Sequence, residues 1–330
     1  MPKIVCLAHV MQRRDEIYDN KMCNEKNNAM LKNVCVRILA LISLFSLAFS
    51  VRAQESGTLK IISYNIWNGF EKQQDRKDKF SNWIRKEQPD IVALQELVDF
   101  KETDLAQLAK TYGHTYTVLL KEKGYPVGIS SRYPIRLVKA QVDQFWHGML
   151  HVKIKNLDLI VTHLSPFSWK YRLGEARQIV EYVKNNRLDS CIIMGDLNAY
   201  SPLDAIWLET QSVLKTNLAK WDQEHPQYGN MNGSRFDYRV LSTFLAAGFD
   251  DCIGRYVFPE IKRASYPAAT LYNWKWGDSR LAAVSERLDY ILLSEPLASH
   301  VKQVEVHNGP ALEGISDHYP VSVVIDQLEK

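Results

Sequence analysis

The sequence has little cysteine, with five residues among 330, and its charges nearly cancel. So few cysteines exclude a disulfide-dense scaffold. The 41 basic and 38 acidic residues give a net charge of +3, without the basic excess that indicates binding to nucleic acid or membrane surfaces by charge alone. Internal repeats and low-complexity tracts are also missing. The chain nevertheless contains 46% hydrophobic and 11% aromatic residues, which excludes a disordered protein and suffices for a sizeable core.

One apolar run, Val36–Val51, lies near the amino terminus and contains a single charged residue, Arg37. The run is shorter than the ~20 apolar residues that a membrane-spanning helix needs. Lys32 precedes the run, and the small residue Ala53 follows it at a position suited to cleavage. This order predicts a secretory signal peptide and an exported protein, either secreted or periplasmic. An uncleaved membrane anchor is the alternative.

The residues before this run are polar and lack periodicity, so we expect Met30 to be the true start of the protein. The predicted extension and signal peptide, residues 1–53, holds eight of the 41 Lys/Arg and four of the 38 Asp/Glu. Its removal would leave 277 residues with 33 basic and 34 acidic side chains, a net charge of −1. An exported form of this protein would therefore have no broad basic surface.

Residues 54–330 form a single predicted domain, because no Gly/Pro-rich linker interrupts them. Only two cysteines, Cys191 and Cys252, remain in this part of the chain. Cys191 lies within an apolar run, which predicts a buried free thiol and not a disulfide. We therefore expect the domain to depend on its core for stability.

Short apolar runs alternate with helical patterns along the predicted domain. The runs are rich in β-branched residues, which is typical of strands that are buried on both faces. Segment 205–280 is less regular, and we expect it to form long loops. Because strands outnumber helices, strands packed against strands with helices outside are favoured. The predicted strands are Leu59–Tyr64, Ile91–Leu94, Tyr116–Leu120, His151–Ile154, Leu159–Val161, Cys191–Met194, Tyr290–Leu293 and Val321–Ile325.

Polar side chains end or follow several of these strands, and one pair precedes the last strand. Such positions are where α/β folds place their active sites. Each residue alone also has an ordinary structural interpretation, as a turn residue, a helix cap, a surface ion pair or a satisfied core histidine. The set comprises Asn65, Glu96, His163, Asp196, Asn198, Asp289, Asp317 and His318.

Six sequence blocks contain these residues: SYNIWN, LQE, THL, GDLNA, RLDYILL and SDHYPV. In this order they resemble the signature blocks of the endonuclease/exonuclease/phosphatase superfamily, which has the deoxyribonuclease I-like fold, and the resemblance covers roughly residues 59–326. It implies a four-layer α/β sandwich in which two mixed β-sheets lie face to face with helices outside. It also implies a metal-dependent phosphoric ester hydrolase of class EC 3.1, in a superfamily that includes abasic-site endonucleases, neutral sphingomyelinases and inositol polyphosphate 5-phosphatases.

The resemblance implies a metal site that consists of Asn65, Glu96 and Asp317, with Glu96 as the principal ligand. Mg²⁺ prefers such oxygen ligands and usually retains several waters. Mn²⁺ could substitute for Mg²⁺. Structural zinc does not fit this donor set, because zinc prefers cysteine and histidine.

The same resemblance assigns the catalytic roles. His318 would act as the general base, since its ordinary pKa lets it accept a proton at neutral pH. Asp289 would hydrogen-bond His318 and fix its tautomer. Asp196 would position the attacking water, and Asn198 would hold this water or a phosphoryl oxygen. His163 would donate a hydrogen bond to a non-bridging phosphoryl oxygen.

The substrate stays open at this point: a nucleic acid, a phospholipid head group or a small phosphoester would each fit a secreted phosphodiesterase. A catalytically silent binding module with the same fold is the alternative, although all eight positions are intact. We expect a monomer without a protein partner. Arg172 is expected on a solvated helix face, with a reach into the cleft as the alternative. The tryptophans near the irregular segment would either bind substrate or cover the core: Trp207, Trp221, Trp274 and Trp276.

Overall fold

The structure is a computed structural model that describes residues 57–326. The predicted signal peptide, its cleavage at Ala53 and the start at Met30 lie outside the described residues. Within residues 57–326, no helix is both long and apolar enough to cross a membrane. The described strands are β1 Thr58–Asn65, β2 Ile91–Gln95, β3 Tyr116–Leu119, β4 Gly128–Ser131, β5 Ile135–Gln141, β6 Met149–Ile154, β7 Leu157–His163, β8 Cys191–Asp196, β9 Met231–Asn232, β10 Arg235–Phe236, β11 Phe249–Asp250, β12 Asp289–Ser294, β13 Val301–Val306 and β14 Val321–Asp326.

Two six-stranded sheets contain twelve of these strands. The first has the order β13-β14-β1-β2-β4-β3, and the second has the order β11-β12-β8-β7-β6-β5. Each sheet is mixed, since β1 and β2 run parallel in the first and β7 and β8 run parallel in the second, while their other neighbours are antiparallel. The remaining pair, β9 and β10, forms a small separate ribbon.

Helices cover the outer faces of both sheets. A short helical turn, Trp67–Phe70, follows β1. The 3₁₀ turns are Pro202–Asp204, Glu260–Arg263, Ala269–Tyr272 and Pro310–Leu312. The α-helices are α1 Gln74–Glu87, α2 Glu102–Thr111, α3 Trp169–Asn186, α4 Ala205–Thr210, α5 Ser212–Glu224, α6 Arg239–Ala246, α7 Cys252–Tyr256, α8 Ser279–Ala282 and α9 Glu295–Ala298.

The alternation of side chains along each strand separates an inner from an outer apolar layer. In β8, Ile192 and Met194 belong to the large core between the sheets, whereas Ile193 packs against the outer helices. In β7, Val161 lies in the inner layer and Ile160 in the outer layer. The face-to-face sheets with helices outside confirm the predicted four-layer sandwich.

The predicted strands are all present, with ends that differ by a few residues. The structure adds β4, β5, β9, β10, β11 and β13, which the sequence did not indicate. The expectation of long loops over 205–280 is wrong, because this segment contains α4, α5, α6 and α7. The predicted burial of Cys191 as a free thiol is confirmed, and Cys252 is also buried and free.

Candidate active site

Three of the predicted site residues form a row across adjacent strands of the second sheet. His163 pairs with Asp196 in the β7–β8 register, and Asp196 pairs with Asp289 in the β8–β12 register. Each lies two positions from an inward-facing residue, so strand alternation directs all three side chains into the space between the sheets. The row of three side chains therefore follows from the two-residue alternation along each strand and from the register between neighbouring strands.

Asn65 reaches the same space from the first sheet. Its neighbour Tyr64 packs against Trp83 of the outer helix α1, so Asn65 faces the second sheet. Asn65 Nδ2 donates to Asp196 Oδ2 at 3.0 Å and to Glu96 Oε1 at 3.1 Å. One amide thus connects the carboxylates of the two sheets.

The short turn after β1 fixes the position of Glu96. All residues from Trp67 to Lys72 have positive φ, a conformation that costs roughly 1–2 kcal/mol for each non-glycine residue. The turn directs the N–H groups of Asn68 and Gly69 to Glu96, at 2.8 Å from Oε2 and 2.7 Å from the main-chain oxygen. A Cβ at Gly69 would lie 2.4 Å from Val98 O, so only glycine fits there.

The sixth block contributes the irregular segment before β14. His318 Nδ1 is 2.8 Å from Asp289 Oδ2, and His318 Nε2 is 3.7 Å from Asp196 Oδ2. Ser316 orients this loop, because its hydroxyl donates to Asn65 O at 2.7 Å and accepts from the His318 N–H at 3.2 Å. The loop therefore attaches His318 to both sheets, and its neighbour Asp317 joins the same cavity.

Burial and like charge set the ionisation of these groups. Burial, reinforced by Asp289, raises the pKa of Asp196 to about 7 despite hydrogen bonds from Asn65 and Asn198. Burial also raises the pKa of Asp317 to about 6. Burial opposes the charged form of His318, but the surrounding carboxylates outweigh it and raise the pKa of His318 well above the ordinary value. The site thus favours a proton shared among carboxylates and imidazole.

His163 has a different environment. Burial, followed by the charge of His318, lowers the pKa of His163 to about 3, so its ring is neutral at neutral pH. Its Nε2 is 3.4 Å from Asp196 Oδ2, and within the described residues its Nδ1 has no partner. His147 stacks on this ring with the centroids 4.2 Å apart.

A cavity of about 390 Å³ opens between the ends of the two sheets. Asn65 and Asp289 do not line the cavity themselves, but they hydrogen-bond to residues that do: Glu96, Asp196 and His318. Asn198 lines the cavity, and its side chain is held by a hydrogen bond that it donates to Leu164 O at 3.1 Å. All eight predicted site residues therefore converge. Six of them line the cavity directly: Glu96, His163, Asp196, Asn198, Asp317 and His318.

The donor set fits a divalent cation. Glu96 and Asp317 offer carboxylate oxygens at the cavity, where carboxylates outnumber the cationic side chains. Asn65, which the sequence assigned to the metal, turns its Nδ2 to Glu96 and Asp196, and its Oδ1 accepts the Trp67 N–H at 3.1 Å. Buried Asp289 Oδ1 has no hydrogen-bond partner among the described residues. Ligand atoms of Asp196, Asp289 and His318 also lie within 4.8 Å of one another. In this group, however, His318 Nδ1 and Asp289 Oδ2 are already hydrogen-bonded to each other. Unneutralised carboxylates would repel an anionic ester, so a cation is expected with the substrate.

Several residues of the cavity carry no motif that the sequence could have indicated. Glu286 is buried at the cavity wall, and burial raises its pKa to about 7. Tyr200 donates its hydroxyl to Glu286 at 2.6 Å. His147 and the exposed Trp146 line the opposite side. The only signal for Glu286 was its position three residues before Asp289, which sequence reasoning did not use.

The expectation for Arg172 is wrong, and the structure gives the surroundings of the four tryptophans for which two roles were left open. Arg172 is buried and not solvated: it donates to Ser165 O at 2.8 Å and to Asn230 Oδ1 at 3.0 Å. The four tryptophans singled out above do not line the cavity. Trp276 donates to Asn308 O at 2.6 Å, and Trp221 stacks on His225 at 4.5 Å. Trp207 belongs to a small satellite core, and Trp274 stacks on Tyr272.

Comparison with known proteins identifies similar sequences over most of the chain. The family model described as the Endonuclease/Exonuclease/phosphatase family matches residues 62–318. An exodeoxyribonuclease of Bacillus subtilis (strain 168) is 26% identical over 286 residues, which cover 81% of this chain and 100% of that protein. A DNA-(apurinic or apyrimidinic site) endonuclease of Dictyostelium discoideum is 28% identical over 292 residues, which cover 82% of this chain and 72% of that protein.

A solved structure supports the same architecture. An AP endonuclease from Archaeoglobus fulgidus superimposes with a TM-score of 0.60 at 23% sequence identity. The match covers 81% of this chain and 99% of that chain. It establishes a common fold for residues that share little sequence.

Proposed function

Because the chain belongs to the Endonuclease/Exonuclease/phosphatase family, we propose that it is a divalent-metal-dependent phosphodiesterase that acts on nucleic acid. The observation that supports this proposal is the convergence of residues from six separate sequence blocks on one cavity between the sheets. A coincidental set of motifs would instead leave these residues scattered over the fold. The coarser activity, phosphoester hydrolysis, is common to the similar proteins.

Glu96 and Asp317 would hold the cation, with Asn65 orienting Glu96 through its Nδ2, and Mg²⁺ suits these carboxylate oxygens, with Mn²⁺ as a substitute. A bound divalent cation supplies positive charge that offsets the carboxylates and polarises the phosphate ester. Glu96 is held for this purpose by the two backbone N–H groups of the left-handed turn.

The proton path runs through the second sheet and the last loop. His318 Nε2 is the ring nitrogen not bound to Asp289, so His318 in its neutral form can take the proton of the attacking water as the general base. A bound divalent cation would offset the carboxylates that raise the pKa of His318 and would favour this neutral form. Asp289 holds Nδ1 and stabilises the imidazolium form that results. Asp196 lies 3.7 Å from His318 Nε2, where it can orient that water. Asn198 and the neutral His163 can donate hydrogen bonds to phosphoryl oxygens.

Nucleic acid is the proposed substrate class because the two curated relatives above are named as an exodeoxyribonuclease and an abasic-site endonuclease. The apolar run Val36–Val51 supports the further proposal that the enzyme is exported. An exported nuclease would degrade nucleic acid outside the cytoplasm and would not repair the chromosome.

A panel of phosphate esters with Mg²⁺ or with EDTA tests the proposal. It should contain plasmid DNA, RNA, sphingomyelin, an inositol polyphosphate and bis-p-nitrophenyl phosphate. We expect Mg²⁺-dependent cleavage of nucleic acid and of bis-p-nitrophenyl phosphate. Bound metal with no cleavage of any ester would instead support the catalytically silent binding module. Cleavage of only sphingomyelin or the inositol polyphosphate would support a phosphoester hydrolase but would refute nucleic acid as its substrate.

A further inference from the structure

A continuous row of aromatic rings includes two rings that line the catalytic cavity and extends beyond them. We call this row the aromatic strip. Adjacent ring centroids are 5.2 Å apart for Trp146–Phe167, 5.7 Å for Trp146–Tyr171, 4.8 Å for Phe167–Tyr228 and 5.9 Å for Tyr228–Trp221. The proposed catalysis uses none of these five residues: Trp146, Phe167, Tyr171, Tyr228 and Trp221.

The strip is connected to the cavity and open to solvent. Trp146 and Phe167 line the cavity together with Glu96 and His318. Trp146 and Tyr171 are each 41% exposed. Large apolar side chains that remain exposed beside a polar cavity are typical of binding sites, because they do not contribute to the hydrophobic core at such positions.

Buried polar groups hold the strip in place before any ligand binds. Glu175 accepts the Trp146 N–H at 2.7 Å and the Ser165 N–H at 2.9 Å, so one carboxylate fixes both loops that carry the first two rings. Gly229 donates to Phe167 O at 3.1 Å, which joins the Phe167 loop to the segment that carries Tyr228. A surface that is fixed in advance loses little conformational entropy when it binds.

The chemistry of the strip favours flat, uncharged rings over cations. Both Glu175 oxygens accept backbone N–H groups, so Glu175 leaves no free carboxylate oxygen for a quaternary ammonium group. Lys121 lies close enough to His147 to contribute to lowering its pKa, and the Lys170 Nζ is 5.5 Å from the Trp169 ring. Lys121 thus places positive charge near His147, which lines the same cavity as Trp146 and Phe167, and Lys170 is the sequence neighbour of Tyr171; a phosphate backbone requires such charge.

We propose that the aromatic strip stacks the unpaired bases of a single-stranded nucleic acid and thereby positions the neighbouring phosphate in the catalytic cavity. Aromatic side chains accept any base, because every base has a π face. Bases within a duplex stack on one another and do not present these faces. The proposal rests on the nuclease function above and specifies its substrate as a single strand.

The test compares two oligomers of equal length and charge: an oligothymidylate, and an oligomer in which abasic tetrahydrofuran units replace every nucleoside. Binding is measured by fluorescence anisotropy in EDTA, so that no strand is cut. We expect Trp146→Ala and Phe167→Ala to weaken oligothymidylate binding by about 5- to 100-fold. Their affinity for the abasic oligomer should change little, and Trp146→Phe should retain most of the oligothymidylate affinity.

Trp276→Ala is the matched control. Trp276 is 40% exposed, almost the same as Trp146, but it does not line the cavity. We expect this variant to bind both oligomers as the wild type does. Equal affinity of the wild type for the two oligomers would overturn the proposal. It would also be overturned if the alanine variants lost both affinities equally, or if Trp146 were needed for phosphatidylcholine vesicles and not for oligothymidylate.

Hydrolysis of ethyl p-nitrophenyl phosphate by the wild type tests the proposed function separately. This ester presents no nucleobase, so its Mg²⁺-dependent cleavage depends on the cavity and not on base stacking. Failure of this cleavage would refute the phosphodiesterase, whereas the anisotropy result in EDTA would stand by itself. The two failures can therefore be distinguished.

Discussion

Two clusters of buried carboxylates have members at neighbouring sequence positions, Asp196 with Asp204 and Asp289 with Arg287, but differ in charge balance. The arginine cluster contains two carboxylates and two guanidinium groups. Arg287 donates to Asp251 through both Nη atoms, at 2.7 and 2.6 Å, and to Asp204 at 2.8 Å. Arg263 completes it with a bond to Asp204 at 2.9 Å. Each Asp oxygen has a partner.

The carboxylate cluster, Asp196, Asp289, Asp317 and His318, has no such balance. Asp289 Oδ1 is unpartnered among the described residues, and burial raises the pKa of Asp196 to about 7. Asp251 is as deeply buried, but Arg287 overcomes the burial and lowers its pKa. Burial alone therefore does not determine the ionisation of these groups; the number of matched cations does. A cluster left short of positive charge is suited to bind a cation and a phosphate.

The largest expected effect is a loss of catalytic activity, and it should follow from substitutions in the carboxylate cluster. His318→Ala and Asp196→Ala should each lower kcat by about 10²- to 10⁴-fold, because each removes a group that handles the proton or the water. Asp196→Ala should change the unfolding free energy little, since it relieves the like charge of Asp289, whereas His318→Ala should lower it, because Asp289 loses its buried partner. Steady-state kinetics with bis-p-nitrophenyl phosphate and denaturant titration measure the two quantities. His300→Ala serves as a control histidine away from the cavity, and near-wild-type turnover of Asp196→Ala would refute its assigned role.

The second effect is on stability. Arg287→Met should destabilise the protein by about 3–5 kcal/mol, because Asp204 and Asp251 would lose their buried partner. The control is Arg255→Met, which breaks an exposed pair with Asp250 and should cost less than about 1 kcal/mol. Urea unfolding measures both variants. Equal losses in the two would show that the buried network is not what stabilises this end of the fold.

The site was more predictable from the sequence than the fold around it. Asn65, His163 and Asp196 end strands that read as short, β-branched apolar runs, so their place at strand ends follows from the local pattern. The strand β5, Ile135–Gln141, was missed because its side chains are largely exposed and its apolar residues do not alternate regularly with polar ones, and the largely exposed β13 was missed as well. Such edge strands carry no hydrophobic alternation for the sequence to reveal.

Long-range contacts account for the residues that the sequence could not assign. Arg172 has the spacing of a solvated helix position, and its burial depends on Ser165 and on Asn230, which is 58 residues away. The burial of Glu175 on α3 also depends on a distant contact, since its partner Trp146 lies on a loop 29 residues earlier in the chain. Neither contact leaves a trace in a single sequence, because the partners meet only when α3 packs on the second sheet.

Glu175 is an intermediate case, with two backbone donors but no direct guanidinium contact. Burial raises its pKa to about 7 from 4.5, so the folded state favours the protonated form. The free energy of unfolding therefore falls as the pH rises from the ordinary pKa of 4.5 through the raised pKa of about 7. Relative to Glu175→Gln, the wild-type unfolding free energy should fall by about 1–3 kcal/mol between about pH 5 and about pH 8. Denaturant titrations across this range measure the difference; an increase with pH would show that the two backbone bonds outweigh burial.

The smallest expected effect is stabilisation by metal, which should involve only the carboxylate cluster and its neighbours. A ligand that binds the folded state at about ten times its Kd adds about 1.4 kcal/mol of stability. Mg²⁺ should therefore raise the Tm of the wild type, and EDTA should remove the increase. Glu96→Gln and Asp317→Asn should lose this response, because each removes a charged oxygen donor from the cavity. Arg287→Met should start from a lower Tm and retain the response, since the arginine cluster offers no free oxygen. Exposed Glu181→Gln controls for the loss of one negative charge. If Mg²⁺ raised the Tm of Glu96→Gln and of the wild type equally, the cation would bind elsewhere, and the imbalance of charge at the cavity would need another explanation.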